Sequence, residues 1–134
     1  VNWPIVVHDR EAHKDVLDIL KSEKAWEVGG VLHCFSGSVE MAKQVLDLGF
    51  KLGIGGSLTF KKAVKPVEVV RYAPLDMLLV ETDCPYLAPE PFRGKRNWSG
   101  YLKYIINKIA QIKEIDYSEV EMATIENARQ LFRF

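Results

Sequence analysis

The sequence has no excess of either charge, no long apolar run and almost no cysteine. Lysine plus arginine and aspartate plus glutamate number 18 each, so the formal net charge is zero. No overall field then draws the chain to nucleic acid or to a membrane surface, and any contact with an anion must be local. No stretch approaches the roughly 20 apolar residues of a membrane span, and the N-terminus lacks a signal-peptide pattern. Two cysteines, Cys34 and Cys84, are too few for a disulfide framework, which makes a reduced cytoplasmic setting the default expectation. Linkers, low-complexity tracts and internal repeats are missing too. What remains is an ordinary globular composition, 48% hydrophobic and 27% charged in 134 residues. It fits a single domain over 1–134 with a moderate core. The opening "VNWPIVVH" enters a strand almost at once, as a cut inside a larger fold would.

Strand and helix signals then alternate with little chain between them. "PIVVH" (4–8) is short, β-branched and continuous, the pattern of a strand buried on both faces. Residues 11–22 place Val16, Leu17 and Leu20 on one helical face, and "GGVLHCF" (29–35) reads as a second strand. Ser38 is placed to cap the next helix, with Met41, Ala42, Val45 and Leu46 as its stripe and Gly49 as its left-handed stop. "FKLGIGG" (50–56) reads as a third strand, 61–73 as a helix interrupted near Pro66, and "MLLVETD" (77–83) as a fourth strand. Residues 99–113 carry Leu102, Ile105, Ile106, Ile109 and Ile112 at helical spacing. A last helix is expected to begin near Ser118, with Ser118 and Glu121 as a capping box. Four strands alternating with helices imply a parallel α/β sheet with right-handed crossovers.

The residues able to do chemistry fall at the strand ends, where such folds keep their sites. His8 ends the first strand, His33 nearly ends the second, and Asp83 ends the fourth. Two imidazoles and a carboxylate on one rim suit a divalent metal with positions left open for water, and such an ion makes hydroxide available near neutral pH. A single strand-end histidine is more often hydrogen-bonded structure than a ligand, so composition alone leaves the two readings balanced. His13, among acidic neighbours, reads as surface. Cys34 and Cys84 each follow a candidate ligand, and strand alternation turns them to the other face as small core residues.

"PIVVHDR", "GGVLHCFSGS", "LGIGGSLTF", "LLVETDCPYLAPEPFRGKRN" and "IENARQLF" together resemble the TatD family of metal-dependent hydrolases. Its members are described as cytoplasmic deoxyribonucleases of the amidohydrolase type. The likeness runs from about residue 3 to the C-terminus and is weakest over "WSGYLKY" (98–104). The resemblance implies that His8 and His33 match metal-binding histidines of barrel strands five and six. It makes Asp83 the strand-eight aspartate, which holds metal and handles the proton of the attacking water. Glu81 would orient the site through hydrogen bonds. Arg10 and the Arg93, Lys95, Arg96 cluster would meet phosphate, whose oxygens suit planar guanidinium groups. For Glu81 and Arg10 the alternative is a rim ion pair, and for the basic cluster a solvated loop.

The resemblance also defines what is missing. A TIM-type (β/α)8 barrel takes about 250 residues, so this chain corresponds to its second half: four parallel strands with their helices. The family's first-strand His-x-His pair and its fourth-strand metal-bridging glutamate are absent. The cofactor implied is one or two divalent ions, Mg, Mn or Zn, and the implied substrate is a DNA end. Half a barrel leaves two sheet edges and an apolar face open, which favours a homo-oligomer; a flatter doubly wound sheet is the alternative. Two further functions stay open: an inactive structural half-barrel, and ester cleavage on aminoacyl-tRNA.

Overall fold

Short aliphatic segments form the four strands of the computed structural model, which describes residues 3–134. β1 (Ile5–His8), β2 (Gly30–His33), β3 (Lys51–Ile54) and β4 (Leu78–Val80) lie side by side in the order of the chain. Every pairing is parallel. Between and after them come α1 (His13–Ser22), α2 (Val39–Asp47), α3 (Val64–Tyr72), α4 (Leu102–Lys113) and α5 (Tyr117–Phe132). Each helix packs on the next, from α1 to α5. A doubly wound sheet reverses its strand order and places helices on both faces. Consecutive strands under one curved row of helices are instead half of a (β/α)8 barrel.

The core lies where the helices meet the sheet. Leu32, Leu52 and Leu78 from the strands join Val45, Val69, Val70, Ile105 and Ile109 from the helices, all fully buried. Each such side chain contributes about 1.5–3 kcal/mol by leaving water. Ser38 caps α2 as its sequence suggests, its Oγ accepting the Met41 amide at 3.3 Å. Gly49 follows that helix at φ +74°.

Several sequence expectations are corrected. β1 is not buried on both faces: Ile5, Val6 and His8 are exposed, because β1 is a sheet edge and periodicity does not report which strand lies outermost. β4 stops at Val80, so Glu81 to Asp83 already belong to the loop. Pro66 does not interrupt α3; it sits in the first turn, where the missing amide has no intrahelical partner to lose. α5 begins near Ser118 as expected, at Tyr117, but Asp116 and not Ser118 stands at the N-cap. Glu121 meets the Tyr117 hydroxyl at 3.4 Å instead of closing a capping box.

Candidate metal centre

Parallel register sets His8 directly opposite His33 at the ends of β1 and β2. Their rings lie 6.0 Å apart between centroids, tilted by 31°. From the far side of the sheet, Glu81 reaches across β3 to the same place. Its Oε2 is 2.7 Å from His33 Nδ1, and its Oε1 accepts the Cys34 amide. The crossing runs over Gly53. A Cβ on that residue would stand 2.4 Å from Glu81 Oε1 and 2.8 Å from its Cδ, so only glycine leaves room for the carboxylate.

With a carboxylate on Nδ1, the neutral His33 ring carries its proton there and leaves Nε2 bare. That nitrogen stands 3.5 Å from Asp83 Oδ1, too far for a good hydrogen bond. A lone pair and a carboxylate facing each other call for a proton or a cation between them. Burial pulls the His33 pKa down, but hydrogen bonds and charge from Glu81, then from Asp83, outweigh it and hold the ring above its ordinary value. Imidazole nitrogen and carboxylate oxygen are donors that Zn, Mn and similar ions accept. The residues present therefore fit a divalent ion held by His33 and Asp83, with the exposed His8 beside them.

Cys34 is corrected. It lies in the left-handed region at φ +47°, which ends strand alternation and keeps it out of the core. Its sulfur, with His33 and Glu81, forms a group of donor atoms all within 4.8 Å of one another. Burial, then the charges of Glu81 and Asp83, push its thiol up to about 12. It is therefore a neutral thiol at physiological pH, and both Glu81 oxygens in that group are already bonded. Cys84 is exposed rather than a core residue. The proline-rich turn carries it outward.

The basic residues lie on the segments that follow β1 and β4. Arg10 is exposed, and no Arg10–Glu81 ion pair forms, since Glu81 is committed to His33 and Cys34. Arg93, Lys95 and Arg96 are exposed as well. The Arg93 guanidinium lies 4.2 Å above the Phe60 ring. Arg93 and Lys95 line an open cleft of about 300 Å³ with Tyr86 and Leu87.

Three contributors escape the motif reading. Gly53 shows only as a glycine inside a strand, a sign of close approach. Asp9 has a nearly buried side chain whose oxygens take the Ala12 amide at 3.1 Å and the His13 ring at 2.5 Å; it anchors the turn that follows His8. Asn97 is 2% exposed. Its backbone amide donates to Pro85 O at 2.9 Å and its Nδ2 to Tyr86 O at 2.8 Å, while Tyr86 N donates to Asp83 O at 2.7 Å. Asn97 thus fastens the returning loop to Pro85 and Tyr86, and Tyr86 is in turn tied to Asp83. Among the described residues no helix is long and apolar enough to cross a membrane.

A family model described as TatD related DNase matches residues 1–133. A metal-dependent hydrolase of Bacillus subtilis, YabD, is 53% identical over 99% of this chain and 52% of its own length. The Escherichia coli metal-dependent hydrolase YcfH is 44% identical over 98% of this chain and 50% of its own. Among solved structures, the TatD homologue YjjV from Escherichia coli superposes with a TM-score of 0.90 at 30% identity. It covers 98% of this chain, which covers 50% of it. A TatD-family hydrolase from Entamoeba histolytica shares the fold at a TM-score of 0.86 and 23% identity, over 96% of this chain and 50% of its own. The chain thus spans about half the length of the curated relatives it matches, and that half includes the strand ends described above. With a family match across nearly all of its residues, this chain belongs to the TatD-related metal-dependent hydrolases.

Proposed function

We propose that this chain contributes to a metal-dependent phosphodiester hydrolase acting at the ends of DNA strands. The observation that carries the reading is His33, bound at Nδ1 by Glu81 and facing Asp83 with Nε2. His8, His33 and Asp83 would hold a divalent ion. Such an ion lowers the pKa of bound water and stabilises charge on a phosphoryl oxygen. Glu81 keeps the His33 tautomer fixed, and Asp83, partly open to solvent, would accept the proton of an attacking water. Arg93, Lys95 and Arg96, with Arg10, hold phosphate oxygens beside the rim. A zero net charge suits an enzyme that grips a few terminal nucleotides better than one tracking a long duplex.

The test is a calorimetric titration of the chelator-treated chain with Mn²⁺ or Zn²⁺, followed by hydrolysis of an end-labelled DNA strand. His33→Ala and Asp83→Asn should each lose at least about 10-fold in metal affinity, the scale on which even supporting residues act, and should hydrolyse no faster than background. If no ion binds and His33→Ala changes neither melting temperature nor cleavage, an inactive structural half-barrel is the better description. Cleavage of aminoacyl-tRNA with no cleavage of DNA would move the assignment to ester hydrolysis.

A further inference from the structure

A cleft of about 320 Å³ between α3 and α4 shares none of its lining with the metal centre. Its charged lining is Lys61 before α3, Glu68 and Arg71 on α3, and Lys108 on α4. Three cations against one carboxylate leave a surplus of two positive charges. Glu68 and Arg71 stand three residues apart on one helix, a spacing at which opposite charges pair. Among the described residues, however, none of these four side chains makes an ion pair or a hydrogen bond. Arg71 also borders a neighbouring cleft with Glu114 and Glu119, and it pairs with neither. Lys108 is the most telling of the group. Lys51, Lys108 and Lys113 are the half-buried lysines among the described residues. Lys51 Nζ donates to Asp76 O and Lys113 Nζ to Ala73 O, each at 2.6 Å. Lys108 has no acceptor from the protein.

A partly buried ammonium gains by finding acceptors for its three donors. Two further cations in the same cleft add repulsion that an anion relieves. We propose that the α3–α4 cleft binds a phosphate dianion, either inorganic phosphate or the phosphate of an organic monoester. Charge decides the class. A phosphate monoester carries about −1.5 to −2 at pH 7, which matches the surplus of the cleft, whereas a phosphodiester carries a single charge and leaves part of it unmet. Geometry suits the same ligand: the planar Arg71 fork can take two oxygens at once, and Lys61 and Lys108 act as point charges. The ligand therefore differs from the phosphodiester assigned to the metal centre, and neither site depends on the other.

The test is a titration of the chain in chelator, at constant ionic strength, with inorganic phosphate, methyl phosphate and dimethyl phosphate. Amide NMR shifts report the site. Saturable shifts should appear on α3 and around Lys108 with the first two ligands, and dimethyl phosphate should bind markedly more weakly. Lys108→Ala and Arg71→Ala should each weaken binding at least about 10-fold, the scale of one lost charge-assisted hydrogen bond. Glu68→Gln should tighten it by removing the opposing carboxylate. Lys43→Ala, an exposed lysine outside the cleft, should change nothing, and far-UV circular dichroism checks that each variant folds. Methyl phosphate binding more tightly than phosphate would assign an organic monoester, and the reverse order the free ion. Shifts that never saturate, equal binding of monoester and diester, or unchanged affinity in folded Lys108→Ala and Arg71→Ala would each overturn the proposal. Because no metal is present during the titration, its outcome is independent of the hydrolase reading.

Discussion

Glu81 and Gly53 illustrate how one side chain comes to control another two strands away. The carboxylate leaves the end of β4, passes over β3 where glycine removes the obstruction, and closes on His33. Burial acts first, lowering the His33 pKa, and Glu81 then Asp83 reverse it to a net rise. For a raised histidine the sign is fixed. The stabilising interaction is complete below the unfolded pKa and is lost as pH rises through the higher folded value. In the chelated chain, the His33 imidazole resonance should therefore titrate above the ordinary value of about 6.5, and Glu81→Gln should bring it down. Gly53→Ala should do the same by forcing the carboxylate aside. A titration unmoved by Glu81→Gln would separate Glu81 from His33 and undo the geometry. The His33–Asp83 relation was legible in the sequence because both residues end strand-like runs. The path over Gly53 was not, since register between strands appears only once the sheet has formed.

At the scale of elements, the helices were the clearest part of the sequence, because apolar residues at three- and four-residue spacing identify the buried stripe directly. Their ends were less legible. α5 starts at Tyr117, with Asp116 rather than Ser118 at the N-cap position, and either residue type is common there. Strand ends fared similarly: "MLLVETD" is apolar to Val80, but the chain leaves the sheet before Asp83, and nothing in the pattern marks that departure. The cysteines failed for a related reason. Alternation across a strand predicts nothing for Cys34, whose backbone has already turned left-handed. The motif "IENARQLF" gains a physical meaning here through Asn127. Its side chain is buried on α5, and Nδ2 donates to Leu75 O at 2.9 Å and to Leu78 O at 2.8 Å. One amide group thus fastens the last helix to the turn that launches β4, the strand leading to Glu81 and Asp83. Asn127→Ala leaves both carbonyls without that donor, and urea denaturation should show a loss of about 1–3 kcal/mol. A change within about 0.5 kcal/mol, typical of an uninvolved surface position, would show that the tie carries no weight.

The whole molecule has a face that its own helices do not cover. Ile5, Val6 and Val7 of β1, with Val16, Ile19 and Leu20 of α1, line an apolar cleft of about 430 Å³. Val6 and Ile19 stand 58% and 60% exposed. Among the described residues β1 pairs only with β2, and β4 only with β3, so both outer strands keep unpaired backbone groups that favour association. Curated relatives and the superposed TatD structures are about twice as long, which sets the amount of barrel needed to close the sheet. We propose that a second copy of this chain supplies it. The strands are parallel and follow chain order, so a two-fold axis along them sets β4 of each copy beside β1 of the other. Both edges close in one assembly, in the closed symmetry that homo-oligomers prefer. The histidines and carboxylates of the two copies then share one rim. Sedimentation should give twice the 15.3 kDa chain mass at micromolar concentration. Val6→Lys, placing a charge on the exposed edge, should shift the equilibrium toward monomer without loss of helical signal. A compact, fully folded 15.3 kDa monomer that neither self-associates nor responds to Val6→Lys would show that β1 tolerates water. Dimer-free chain that acquires a partner only when a fragment carrying the other barrel half is added would assign the same face to that half instead.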